Sequence, residues 1–316
     1  MKTVSLFLLL ITPVSLGAQK VEQFYDWQWQ RCEPANARFI TILEKKDALW
    51  ERKDYFLRER RLHRSGFFTD TFFKVQQGNC FYYHPNGVPS SHGNYFNGQK
   101  EGLWLSFYPD GSMSDSAVFT GGRVTGTRFT YHKNGFLSDS IIYNPDGSGV
   151  EVSWFEDGSP SSAGRYGPGR RKQGKWQYFH RNGKLSALEV YEDNRLLSKQ
   201  HYNEEGHHLS DSLKPDRPAM FMGMKGDWQR YLQKQLYFPS RYKIVNGDQA
   251  VVVVNGVIDE EGKMTAVEVH TPFHPQFDQI AVMAMKNSPK WMPAISHNRR
   301  VKFSIRQTIT FHQQSD

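Results

Sequence analysis

The sequence is poor in cysteine, with only Cys32 and Cys80, and it has no long apolar run beyond its first eighteen residues. Two cysteines are too few for a disulfide framework, and a bilayer span needs about 20 apolar residues. A disulfide-stapled miniprotein and a multi-span membrane protein are therefore both excluded. A glycine-rich phosphate loop after a strand is missing, and so is a G-x-S-x-G elbow. Histidines pair at His270 and His274, and His207-His208 stand beside Asp211, but neither group brings a clear third and fourth ligand. No metal and no cofactor is expected. Asp110, Asp146 and Asp157 occur in turn sequences, where Asx turns account for them. The net charge of +8 is modest for 316 residues and its basic residues are spread out, which does not point to nucleic acid. The expectation is a protein that is not an enzyme.

What is present begins with Lys2, the apolar run Val4 to Ile11, and small residues ending at Gly17-Ala18. This is the anatomy of a secretory signal peptide over residues 1–18, with the mature chain starting near Gln19. Thr12-Pro13 interrupts the run and argues against an uncleaved anchor. A periplasmic location associated with the cell envelope follows as an expectation. In that oxidising compartment Cys32 and Cys80 can pair in a disulfide or stand as two buried thiols.

The length gives room for about two domains. Turn glycines recur at Gly87, Gly111, Gly135, Gly158, Gly183 and Gly206, spaced 24, 24, 23, 25 and 23. A second series, Gly98, Gly122, Gly147 and Gly169 with Asn194 in the fifth place, falls half a period later. A fixed period in this range means an array of repeated units. Tyr83, Phe107, Tyr131, Trp154 and Phe179 share one repeat position, and Phe81, Leu105, Phe129, Val152 and Gln177 lie two residues earlier. Side chains two apart share a strand face, so these columns predict a core. Trp104 and Trp176 fall on the opposite face and are candidates for partner contact, as are Arg170 and Arg171 in "GRRKQGKW".

The stretches "YFNGQKEGLWLSFYPDG" and "GPGRRKQGKWQYFHRNG" resemble the MORN-type repeat in its bacterial YwqK-like variant. The resemblance covers residues 67–208 and implies an elongated β-hairpin array. Residues 19–66 read as a cap, with a helix expected from Ala35 to about Leu49 on the spacing of Phe39, Ile42 and Leu43. Arg58, Arg60, Arg61 and Arg64 read as solvated side chains of an outer strand.

Beyond a linker at 209–217 the grammar changes. Trp228, Tyr231, Leu232 and Leu236 recur at helical spacing; "DQAVVVVNGVIDEEGKMTAVEVH" gives two strands, and Pro275 to Asn287 a second helix. "RRVKFSIRQTITF" then alternates as a final strand over 299–311. With Phe238-Pro239 and "SPKWMPA", which contains Trp291 and Pro293, residues 218–312 resemble the carboxy-terminal domain of TonB energy transducers. The fold expected is thus mainly β with an α+β terminal domain of two helices and three strands. The resemblance implies a protein partner, such as an outer-membrane transporter, whose extended peptide adds to the final strand at Val301, Lys302, Phe303, Ser304, Ile305 and Arg306 in support of transmembrane transport. In the alternative, an envelope scaffold, the repeats bind protein, glycan or lipid and the terminal domain only packs or forms a homodimer.

Overall fold

The computed structural model describes residues 20–210, 216–222, 227–244 and 249–313. The expected signal peptide and residues 211–215 of the expected linker lie outside the described residues. Sixteen strands, from Lys20–Tyr25 to His208–Leu209, form one sheet in strict sequence order. Each strand is antiparallel to the next, so within the sheet every strand pairs only with its neighbours in sequence.

The turns explain the period. Along one side of the sheet, Gly87, Gly111, Gly135, Gly158, Gly183 and Gly206 all adopt φ between 80° and 89°. That left-handed geometry is the reason for glycine at this beat. On the other side the turns at Asn97-Gly98 and Asp193-Asn194 place both central residues at positive φ, the primed hairpin geometry that matches strand twist.

Register assigns each side chain to a face. Phe81, His92, Leu105, Ser116, Phe129, Ser140, Val152, Ala163, Gln177, Leu188 and Gln200 align in one cross-strand row. This was the face expected to form a core, but Phe81 is 40% exposed and Leu103, Val118, Ile142 and Val150 on the same face are more so. The core lies on the opposite face, where Cys80, Trp104, Ala117, Trp176, Tyr178 and Ala187 are buried. Trp104 and Trp176 are each 2% exposed, which corrects their reading as partner-contact surface. The cause is a large-to-small alternation between strands. Trp104 lies over Gly93 and Trp176 over Gly164, where an added Cβ would come within 2.3 Å and 2.1 Å of the rings. Their indole Nε1 groups donate to the carbonyls of Asn94 and Arg165, so burial leaves no orphan donor.

The same face carries polar rungs. Asp54, fully buried, accepts from Thr41 Oγ1 at 2.6 Å, Arg52 Nε at 2.8 Å and Arg64 Nε at 2.8 Å. Farther along, Thr130 and Ser153 donate to Asp139, and Ser162 to Ser153. Arg64 is therefore an interior ion-pair partner and not the solvated side chain expected.

The helix expected from Ala35 is absent: a single 3-10 turn at Pro34–Asn36 precedes strands Phe39–Lys46 and Leu49–Phe56. Phe39, Thr41 and Leu43 are buried and alternate with Ile40 and Ile42, a period of two that the helical spacing of Phe39, Ile42 and Leu43 concealed. β-branched Ile40, Thr41 and Ile42 favour the strand. Of the two alternatives for the cysteines, the structure has free thiols, Cys80 buried and Cys32 half-buried. Cys32 follows Arg31, which bridges to the edge strand Lys20–Tyr25, whereas Cys80 sits four strands farther into the sheet. At about 4.8 Å per strand that separation is roughly 19 Å, beyond disulfide reach.

The terminal domain has a three-stranded antiparallel sheet, with Gln249–Ile258 between Met264–Thr271 and Phe303–His312. Helices α1 (Trp228–Gln235) and α2 (Pro275–Lys286) cover one face. Phe277, Ile258, Met285 and Ile309 are the fully buried centre of that core. Asp227 caps α1 by accepting from Arg230 N, and His274 caps α2 by accepting from Gln276 N.

Gly93→Ala forces a methyl into the Trp104 indole and should lower stability by about 1–3 kcal/mol, the usual cost of overpacking, as measured by urea unfolding.

Candidate functional site

The terminal domain docks on the Trp104 face of the array, and the contacts begin with the turns. His84, Tyr108, His132, Phe155 and His180 hold the same turn position, since the backbone N–H of each bonds to the carbonyl four residues on. Four of them tie their turn to the next one. His84 Nε2 meets the Phe107 carbonyl at 2.9 Å, Tyr108 Oη donates to Tyr131 O at 2.6 Å, and His132 and His180 reach Trp154 O and Tyr202 O at 2.9 Å. A carbonyl only accepts, so each of these Nε2 atoms carries the proton.

Phe155 breaks the series because its ring has no donor. The carbonyl left open, Phe179 O, is taken by Arg299 of the terminal domain, whose Nη1 lies 2.7 Å from it and 2.7 Å from Ser161 O. Arg299 also sits over the Phe155 ring, 5.1 Å from its centroid. The guanidinium thus supplies the rung that the repeat lacks.

Arg299 is held there by a tight hairpin, Ala294–Ser296 paired with Arg299–Val301, with His297 and Asn298 at positive φ in its turn. Asn298 Nδ2 donates to Tyr202 O at 2.9 Å. The His297 ring stacks on Tyr178 at 3.5 Å with 15° between planes, and its Nε2 is 3.6 Å from Glu189. Burial alone would raise the Glu189 pKa, but His297, the Tyr191 hydroxyl and Lys199 outweigh it and bring the carboxyl down to about 2. At the other end of the array, Arg38 lies 3.8 Å over the Phe273 ring and Arg58 Nη1 donates to Tyr242 Oη and Phe273 O. Burial pushes the Arg38 guanidinium down to about 10. Exposed pairs Lys133 with Glu268, Arg181 with Glu260 and Lys302 with Glu156 lie between. They are worth little individually.

The six residues read as one peptide-pairing strand are divided. Val301 pairs with Ala294 in the docking hairpin, and Lys302 ion-pairs with Glu156 of the array. Phe303, Ser304, Ile305 and Arg306 belong to Phe303–His312, an edge strand that pairs, among the described residues, only with Gln249–Ile258. Ser304, Arg306 and Thr308 are exposed, while Ile309 and Phe311 are buried under the helices. Lys302 is the single residue between the two strands, which explains why a continuous alternating pattern hid the break.

Phe238, Pro239, Trp291 and Pro293 are architectural. Phe238 packs edge-on to Phe277, and Pro239 O accepts from Tyr242 N in a turn. Trp291 is buried against Phe221 and Trp228, and its backbone N–H donates to Gly262 O. Gly262 must be glycine, since its φ is 82° and a Cβ would lie 1.9 Å from Trp291 O. Pro293 separates Trp291–Met292, which pairs with Met220–Phe221, from the docking hairpin. In the basic repeat, Arg170 donates to Val124 O and covers the Tyr143 ring, so it is committed within the array. Arg171 is exposed, 3.5 Å from Asp193. His270 contacts Thr271 Oγ1 and His274 caps α2, so the two do not act as a pair. Asp211, the expected third member at His207-His208, lies outside the described residues.

Sequence reasoning missed Arg38, His297, Asn298 and Arg299, and it read Arg58 only as a solvated side chain, not as a donor to Tyr242 and Phe273. One signal was available: the turn position filled by His, Tyr, His and His is broken by Phe155.

The architecture is a repeat array of β-hairpins that holds an α+β module on one face. Residues 76–97 and 172–193 match the family described as MORN repeat variant, and residues 234–312 match Gram-negative bacterial TonB protein C-terminal. The chain is a MORN-type array followed by a TonB C-terminal domain. No curated protein matches it. No helix among the described residues is long and apolar enough to cross a membrane.

Arg299→Ala removes two charge-assisted bonds, each worth about 1.5–3 kcal/mol. Hydrogen exchange across Ala294–Val301 should accelerate by at least roughly tenfold while the strands Gln76–Tyr83 and Gln99–Phe107 keep their protection. Docking also carries a pH dependence. The Glu189 pKa is depressed, so its contribution is full above the ordinary carboxylate value of about 4.3 and is lost as the pH falls through about 2. Thermal unfolding between these limits should show a fall in melting temperature that Glu189→Gln removes.

Proposed function

We propose that this is an exported envelope protein, not an enzyme, whose terminal domain binds an extended peptide of a protein partner by strand addition. The open edge of Phe303–His312 carries this reading. An edge strand has unpaired N–H and C=O groups, and an added strand gains affinity from main-chain hydrogen bonds, with side-chain preferences set by the surroundings. The TonB C-terminal match over 234–312 supports a partner of the outer-membrane transporter class and a role in transmembrane transport from the periplasm. The array then acts as a rigid holder. Its contacts use the hairpin Ala294–Val301 and leave Ser304, Arg306 and Thr308 exposed on the pairing strand.

A second reading, an envelope scaffold in which the array makes the functional contact, is favoured by one observation. Leu103 faces Val118 across one strand pair and Ile142 faces Val150 across another, all exposed on the face away from the terminal domain.

Calorimetric titration of the purified chain with transporter amino-terminal peptides separates the two. Strand addition predicts binding that weakens about tenfold or more when alternate peptide nitrogens are methylated, because methylation removes main-chain donors and leaves every side chain in place. Equal affinity of methylated and unmethylated peptides rules out strand addition. Loss of envelope association on changing Leu103 and Ile142 to Ser supports the scaffold.

A further inference from the structure

We propose that the cavity between the first repeats and the terminal domain is a binding site for a small, neutral aromatic molecule. The cavity holds about 450 Å³, a size usual for small-molecule sites, which favour the junction between domains. No residue of Phe303–His312 lines it, so the inference does not rest on peptide binding.

One wall is aromatic and belongs to the array: Trp29, Phe39, Phe56, Tyr83 and His63. Trp29 stacks on Phe39 with centroids 4.0 Å apart, and His63 meets Phe56 edge-on at 4.8 Å. Packing fixes these rings, so a ligand meets a preorganised surface and orders little on binding. The opposite wall comes from the terminal sheet through Asn255, Glu268, Val269 and His270. Each domain supplies half of the site.

Charge then selects the ligand class. Burial brings His63 down to about 4 and also lowers His270, so both imidazoles are neutral at pH 7. Glu268 is the one carboxylate lining the cavity, and Lys133 already lies 3.9 Å from it. Asn255 Oδ1 is taken by Arg306 Nε at 3.0 Å. An anion would find no Lys or Arg among the lining residues. A cation would compete with Lys133 for Glu268 and approach Arg306. A neutral ring loses no solvated charge on entry and stacks on the aromatic wall.

The test titrates the full chain at pH 7 with indole, tryptamine and indole-3-acetate by calorimetry. Indole should bind one to one, about tenfold or more tighter than either charged analogue, a difference of about 1.4 kcal/mol. Ser90 lines the cavity, and Ser90→Phe should fill it and abolish indole binding with the circular dichroism unchanged. In the unmodified protein, nuclear Overhauser contacts from bound indole should reach the Val269 methyls. Absence of saturable indole binding, equal affinity for a charged analogue, or saturable binding without contacts to Val269 would overturn the proposal. So would retained binding in a folded Ser90→Phe chain.

Discussion

The hydrogen bond from one turn to the carbonyl of the next is the constraint on which this structure depends. A single-layered sheet of sixteen strands has only its neighbours to hold each hairpin in place, and backbone ladders alone leave the turns free to splay. His84, Tyr108, His132 and His180 close that gap on one side of the sheet. A parallel set runs through Asn86, Asn134 and Asn182, each donating to a carbonyl of the following turn. Where the turn carries Asp110 or Asp157 the carboxylate has no proton to donate and instead accepts from Ser112 or Ser159 within its own turn. Asn86, Asn134 and Asn182 also accept from a backbone N–H of their own turn, so the Asn-Gly turns both shape a turn and couple it to the next, whereas Asp110 and Asp157 only shape their own.

Docking of the terminal domain is a consequence of the same constraint. The one interrupted rung, at Phe155, leaves a carbonyl to be satisfied, and a buried unsatisfied acceptor is costly. Arg299 fills it with a cation that is also aimed at the Phe155 ring. The face that receives it is the buried one, where Tyr178, beside Trp176, provides the ring on which His297 stacks. The second face of the terminal sheet then becomes interior in part: Val251 and Val253 are buried without belonging to the helix-side core. The array and the terminal domain thus share polar as well as apolar contacts, and the edge strand is left outside them.

Much of the design was legible in the chain. The glycine period marked the turns because a positive φ is a property of the residue itself, and the TonB-like segment was recognisable because its punctuation, Phe238-Pro239, Gly262 and Trp291-Met292-Pro293, sits at turns and core anchors. The errors have one physical origin. Phe39, Ile42 and Leu43 satisfy helical spacing, but Phe39, Thr41 and Leu43 satisfy strand spacing, and pairing with Lys20–Tyr25 and Leu49–Phe56 settled the matter. The aromatic columns were real, but a period of two marks two faces equally, and the face that is buried depends on what covers it.

By itself the sequence determined the repeat, its turns, the order of elements in the terminal domain and the alternation of its last strand, since these follow from local backbone preference and side-chain periodicity. Tertiary structure alone decided that Trp104 and Trp176 lie inside, because Gly93 and Gly164 make room only once the strands are in register. It also decided that Arg299 closes the array, that Val301 joins the docking hairpin, and that Lys302, between the two strands, pairs with Glu156. Arg299 and Lys302 meet array residues more than a hundred positions away in the chain, and only the folded structure brings such residues together.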